Sequence, residues 1–173
     1  MGAELGVDPV AVRFSYGEQG KPALAGALAD SGLKFNVSHS GELGLIGVLR
    51  GAELGVDLEA HRALSDRDAL VRRYFSSAEI AAFFALPEAE RELGFFNCWT
   101  RKEAVVKALG LGLSYSLQAF DVTLAPGDLP RLLRLQQLPG EDSGWCLAGF
   151  LPDEGYAAAV VVQGKKCTVL KAG

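Results

Sequence analysis

The stretch Trp99-Thr100-Arg101-Lys102-Glu103-Ala104-Val105-Val106-Lys107 constrains the fold more than any other part of the chain. Four-residue spacing sets Trp99, Glu103 and Lys107 on one face of an α-helix, so that an aromatic ring, an acid and a base stand in a row. Pro87 suits the first turn of such a helix, and Gly110 and Gly112 suit its end. These glycines cap the helix rather than cradle a phosphate, because a phosphate loop places its glycines before a helix. Taken alone, the row is an amphipathic helix with a surface Glu–Lys pair worth about a few tenths of a kcal/mol.

The neighbouring motifs change that reading. Gly55-Val56-Asp57-Leu58-Glu59 alternates with a β period, which puts Asp57 and Glu59 on a polar face and Val56 and Leu58 on the other. Two acids side by side repel each other and are tolerated in solvent, as on a solvated edge strand, or around a cation. Glu103 as a third acid completes an oxygen-rich donor set, which suits Mg²⁺ or Mn²⁺ better than zinc. Magnesium commonly keeps one or two carboxylates and fills its other positions with water and substrate phosphates, so a phosphate substrate is expected.

Phe35-Asn36-Val37-Ser38-His39-Ser40 reads as a strand running into a polar turn, and Gly20-Lys21-Pro22 adds a cation on a turn. Ser38 and His39 can donate to an anion. They are not a nucleophile and its base, because adjacent strand residues point to opposite faces. Each of these short motifs also has a plain local reading as a turn or a loop.

The remaining pattern predicts strands near Val10–Ser15, Leu33–Ser38, Leu43–Leu49 and Gly55–Glu59, then a helical block. Ser65 precedes one helix, and Ser76-Ser77-Ala78-Glu79 reads as a capping box with Phe75 and Ile80 as its hydrophobic staple, which gives Glu79 a structural role. Further strands are expected at Phe120–Leu124, Leu132–Leu138, Trp145–Phe150, Tyr156–Val162 and Cys167–Leu170. The product is an α+β fold with antiparallel meanders.

In order, GKP, FNVSHS, GVDLE and WTRKEAVVKALGLGL resemble the surfactin-type 4′-phosphopantetheinyl transferases, and the resemblance runs from about Ala11 to Val122. The shorter holo-acyl-carrier-protein-synthase type carries its motifs in the opposite order. The resemblance implies two pseudo-symmetric α+β lobes, here residues 1–50 and 51–173, with the N-terminal part of the first lobe missing. It implies that Asp57, Glu59 and Glu103 hold Mg²⁺ (or Mn²⁺), and that Lys107 contacts the phosphates of coenzyme A. It also implies that Lys21, Ser38 and His39 grip the nucleotide 3′-phosphate. Glu103 is in addition the candidate base for the acceptor hydroxyl. The implied reaction moves 4′-phosphopantetheine from coenzyme A to a serine of an apo acyl or peptidyl carrier protein and releases 3′,5′-ADP.

Two other readings share these residues. A metal-dependent phosphohydrolase would use three carboxylates and a lysine, and a truncated relative would bind coenzyme A or carrier without turnover. A shortened lobe could also recruit a second copy into a homo-oligomer.

Composition agrees with an enzyme of the cytoplasm. The chain has 173 residues, 49% of them hydrophobic, enough for one substantial core. Its net charge of −4 gives a nucleic-acid partner no support, and no signal segment or long uncharged run points to secretion or a membrane. Cys98, Cys146 and Cys167 are odd in number, lack C-x-x-C spacing and read as reduced. Arg62, Arg67, Arg72 and Arg73 form either a solvated charged face or a carrier-docking patch. The heptad Gly-Ala-Glu-Leu-Gly-Val-Asp occurs at residues 2–8 and again at 51–57, without a second metal motif after the first copy.

Overall fold

The computed structural model describes residues 1–112, 115–135 and 144–164, with the Leu135 side chain left aside. A short helix α1 (Gly2–Leu5) leads to strands β1 (Phe14–Tyr16), β2 (Pro22–Leu24), β3 (Leu33–Ser40), β4 (Leu43–Arg50) and β5 (Leu54–Ala60). Helices α2 (Arg67–Tyr74), α3 (Ser77–Ala85) and α4 (Glu88–Leu109) follow, and then β6 (Phe120–Val122), β7 (Leu132–Leu135), β8 (Trp145–Phe150) and β9 (Tyr156–Gln163). Among the described residues the strand pairs are all antiparallel: β1 with β2, β3 with β4, β6 with β7, and a three-stranded sheet in the order β5-β9-β8. The expected α+β class holds.

Two hydrophobic clusters support these layers. The larger gathers Val71, Phe75, Phe83, Phe95, Phe96 and Val105 with residues of β6 and β9; the smaller is Leu24, Leu33 and Phe35, packed by Met1, Leu5, Val12 and Leu28. α4 lies across β5 and β9 at very close range. A Cβ on Gly55 would collide with the Ala104 carbonyl and the Ala108 amide, so the glycine of the G-V-D-L-E motif is where the helix backbone sits. On β9, Ala157, Ala158 and Ala159, paired with Glu59, Leu58 and Asp57, are all buried and keep the sheet surface shallow.

The signals read from sequence for α3 and α4 are realised. Ser76 Oγ accepts from the Glu79 amide at 3.2 Å while Glu79 Oε2 accepts from the Ser76 amide at 2.8 Å, a complete capping box, with Phe75 and Ile80 in one cluster. Pro87 sits at the N-cap of α4, and Gly110 closes it in the left-handed conformation at φ 69°.

Other expectations need correction. The strand expected over Val10–Ser15 starts only at Phe14, because Asp8 caps a 3₁₀ turn over Pro9–Ala11 by accepting from the Val10 amide at 2.9 Å. α2 begins at Arg67 after Asp66 rather than directly after Ser65. Of the strand expected over Leu132–Leu138, Leu132–Leu135 is a strand and the rest lies outside the described residues, as do Cys167 and the strand expected over Cys167–Leu170. Cys98 is free and buried, but Cys146 is in a disulfide, against the expectation of three reduced thiols. Spacing along the chain carries no information on which thiols folding brings together.

Candidate active site

β5 carries the two acids, and it is not the half-solvated strand that its alternation suggests. Every residue from Leu54 to Leu58 is buried. α4 covers one face and β9 pairs with one edge, so the polar face expected for Asp57 is enclosed, and Asp57 is only 4% exposed.

The other edge of β5 faces β3 without a backbone ladder. Side chains of alternate β3 residues take its place: Asn36 Oδ1 accepts from the Val56 amide at 2.8 Å, Ser38 Oγ from Leu58 at 3.2 Å, and Ser40 Oγ from Ala60 at 3.0 Å. The same serines donate to the acids. Ser38 Oγ donates to Asp57 Oδ1 at 3.0 Å and Ser40 Oγ to Glu59 Oε2 at 3.1 Å. Lys107, reaching down from α4, donates to Asp57 Oδ1 at 2.6 Å and to Ser38 Oγ at 3.1 Å. Ser38 thereby uses its one donor and both lone pairs. Arg62 Nη1 adds a bond to Glu59 Oε2 at 3.0 Å.

The electrostatics follow from this enclosure. Burial pushes the Asp57 carboxyl above its ordinary value although Lys107 and Ser38 pull it down, and Glu59 adds a smaller upward push. Glu103 is also raised, first by burial and then by the charge of Asp57, with Glu59 contributing and Lys107 opposing. Asp57 Oδ2 is buried with no hydrogen-bond partner. Among the described residues no three His, Cys, Asp or Glu side chains converge as a ready metal cluster. The orphaned Oδ2 and the mutual repulsion felt at Glu103 are nevertheless what a hard cation would relieve, so the donor chemistry fits Mg²⁺.

Trp99, Glu103 and Lys107 do share one face of α4. They line a cleft of about 410 Å³ together with His39, Asp57 and Glu59. Trp99 is fixed there by stacking on Phe95 at 5.7 Å and by the edge of Tyr74 at 5.6 Å. An adjoining cleft of about 480 Å³ shares Glu103 and Lys107 and reaches Lys21, whose Nζ donates to Glu53 Oε2 at 2.9 Å and to the Ala108 carbonyl at 3.1 Å. Glu103 also lines a third cleft of about 240 Å³, beside Arg73, Tyr74 and Gln118. All seven residues expected at the site, Lys21, Ser38, His39, Asp57, Glu59, Glu103 and Lys107, line the first two clefts. His39 is exposed and Ser38 buried, as their opposite strand faces require.

Several functional-looking residues escaped the sequence reading. Lys102 is fully buried and donates to the Leu117 carbonyl at 2.6 Å, the Phe120 carbonyl at 2.7 Å and Glu79 Oε2 at 2.8 Å. Glu79, beyond its capping role, accepts from the Val122 amide at 2.8 Å. Ser40 and Asn36 had one signal, the period-2 run of hydrogen-bonding residues Asn36, Ser38, Ser40 along β3. The arginine cluster is divided. Arg62 serves Glu59, Arg67 pairs with Asp68 and Glu88, and Arg72 and Arg73 lie over the Phe84 and Tyr74 rings.

Known proteins bear on this geometry. Residues 53–161 match the family model described as the 4′-phosphopantetheinyl transferase superfamily. The 4′-phosphopantetheinyl transferase HetI of Nostoc sp. is 38% identical over 164 residues, covering 95% of this chain and 66% of that protein. The transferase Sfp of Bacillus subtilis is 31% identical over 89% of this chain and 64% of its own length. The chain thus spans a little under two thirds of the curated relatives it matches most fully. A holo-(acyl-carrier-protein) synthase from Bacillus anthracis, in complex with CoA (3′,5′-ADP), superposes with a TM-score of 0.49 at 22% identity, over 64% of this chain and 93% of that one. On the match over residues 53–161 and the identity to HetI, this chain belongs to the 4′-phosphopantetheinyl transferase superfamily.

Proposed function

We propose that this chain transfers 4′-phosphopantetheine from coenzyme A to a serine hydroxyl of an apo acyl or peptidyl carrier protein, dependent on Mg²⁺, and releases 3′,5′-ADP. The observation that carries the reading is Glu103, a half-buried carboxyl raised by burial and by Asp57, in a cleft that also holds Lys107. A carboxyl moved upward is a better acceptor for a serine proton than an ordinary surface glutamate. As the serine oxygen bonds to phosphorus, its proton passes to Glu103 and the P–O bond to 3′,5′-ADP breaks.

Asp57, Glu59 and Glu103 are the residues that would hold Mg²⁺, which supplies charge neutralisation at the pyrophosphate when bound. Lys107 would add a cation to the same phosphates, and Lys21 and His39 would face the nucleotide end, whereas Ser38, its donor and both lone pairs already used, holds Asp57. Such a transfer asks the protein for positioning and charge, with no covalent enzyme intermediate. Buried, free Cys98 needs no part in it.

The test is intact-mass spectrometry of an apo carrier protein incubated with the chain, coenzyme A and Mg²⁺, with an EDTA control. A phosphopantetheine-sized gain removed by EDTA is the expected result. No gain from folded protein would transfer belief to a non-catalytic binder, and nucleotide release without carrier would favour the phosphohydrolase.

A further inference from the structure

We propose that Ser40 is the positioning residue for Glu59, and that the paired serines of β3 decide which oxygen of each β5 acid is left for a divalent cation. This rests on the reading of Asp57 and Glu59 as cation ligands.

The structure repeats one arrangement twice. Ser38 donates to Asp57 Oδ1 and accepts from the Leu58 amide; two residues on, Ser40 donates to Glu59 Oε2 and accepts from the Ala60 amide. Each hydroxyl ties a carboxylate oxygen to the backbone just after the same acid. The carboxylate plane is therefore locked relative to its own strand, with no need for a third element.

The oxygens that remain are the ones the site has to offer. Asp57 Oδ2 is buried without a partner. Among the described residues, every hydrogen bond to Glu59 falls on Oε2, from Ser40 and from Arg62. One serine per acid thus leaves one oxygen per acid, on residues two apart and on the same strand face. Arg62 is 56% exposed, so it is a weaker constraint on Glu59 than the hydroxyl of Ser40.

Asn36 supplies an internal control. It makes the same kind of rung to β5, accepting from the Val56 amide, but among the described residues it makes no hydrogen bond to an acid. If the ladder only aligned the strands, all three rungs would matter alike.

The experiment is Mn²⁺ titration of the full chain, followed by the EPR signal of free Mn²⁺, with coenzyme A present and coenzyme A alone as the blank. Ser40→Ala is expected to weaken Mn²⁺ binding by about 10–100-fold, the usual cost of losing a partner that orients a metal ligand. Ser40→Thr keeps the hydroxyl and should restore most of the affinity, and Asn36→Ala should match the unaltered chain. Unchanged affinity in Ser40→Ala, or an equal loss in Asn36→Ala, overturns the positioning role and leaves the cation reading standing. Absence of Mn²⁺ binding by the unaltered chain, folded by circular dichroism, overturns the cation reading itself and this inference with it.

Discussion

Lys107 Nζ lies 2.6 Å from Asp57 Oδ1 although 50 residues separate the two in sequence. The acid is almost wholly enclosed and the lysine partly open, with side chains 6% and 29% exposed. Removing one member of such a pair strands the other, which costs more than removing both. Lys107→Ala and Asp57→Ala should therefore be non-additive, with a coupling of about 0.5–3 kcal/mol in a double-mutant cycle followed by denaturant unfolding. Additive effects would mean that the contact carries no net energy.

Gly55→Ala should be far more damaging than a Gly→Ala change usually is on a strand. Its Cβ would meet the backbone of Ala104 and Ala108, whereas a Cβ on Gly44 meets nothing within 4 Å. Overpacking against backbone costs about 1–3 kcal/mol or more. It also lifts α4 from β5, separating Lys107 and Glu103 from the acids. Thermal melts and transfer assays of both variants check this; equal behaviour of Gly55→Ala and Gly44→Ala would contradict the packing argument.

Lys102→Ala leaves Glu79 as an uncompensated buried charge and frees the carbonyls of Leu117 and Phe120. A loss of about 3–5 kcal/mol is expected, seen as a shifted urea midpoint. The Glu79→Gln/Lys102→Met double variant should recover part of it. A Lys102→Ala protein of unaltered stability would contradict the buried-charge argument.

Glu103→Gln should stabilise the fold while removing transfer. The folded chain holds the Glu103 proton more tightly than an unfolded chain, whose ordinary value is 4.5. Its contribution to stability is thus complete below that value and is lost as pH rises through the higher folded value. At neutral pH the ionised carboxylate beside Asp57 and Glu59 is a cost that glutamine lacks. Tm should rise at pH 7, with the gain shrinking as pH falls toward the unfolded value of 4.5, and the transfer rate should fall by about 10²–10⁴-fold with Glu103 as the base. A lower Tm at pH 7 would mean that its partners outweigh the repulsion.

Most of the elements were legible because they rest on local signals. The capping box at Ser76, the αL glycine at Gly110 and the four-residue spacing along α4 are each read within a few positions. The polar ladder from β3 to β5 was not, because it is set by which strand edge lies beside which. Burial of Asp57 was missed for the same reason: strict alternation describes a strand with one wet face, and only the arrival of α4 over that face and of β3 along its edge closes it. Lys102 looked like one more charge in a charged helix until the segment after α4 folded back over it.

The repeated heptad separates the two kinds of information. At Gly2–Asp8 it forms the turn of α1, a left-handed Gly6 at φ 65° and an Asp8 that caps the following 3₁₀ turn. At Gly51–Asp57 the same seven residues pass through a turn into β5, and the second aspartate meets Ser38 and Lys107. The sequence alone determined the ends of α3 and α4, the strand periods and the set of acids and lysines available for phosphate chemistry. Whether Asp57 is a cap or a buried site residue was decided by tertiary structure, because seven residues cannot supply the apolar partners, the facing serine or the helix backbone over Gly55 that hold it extended.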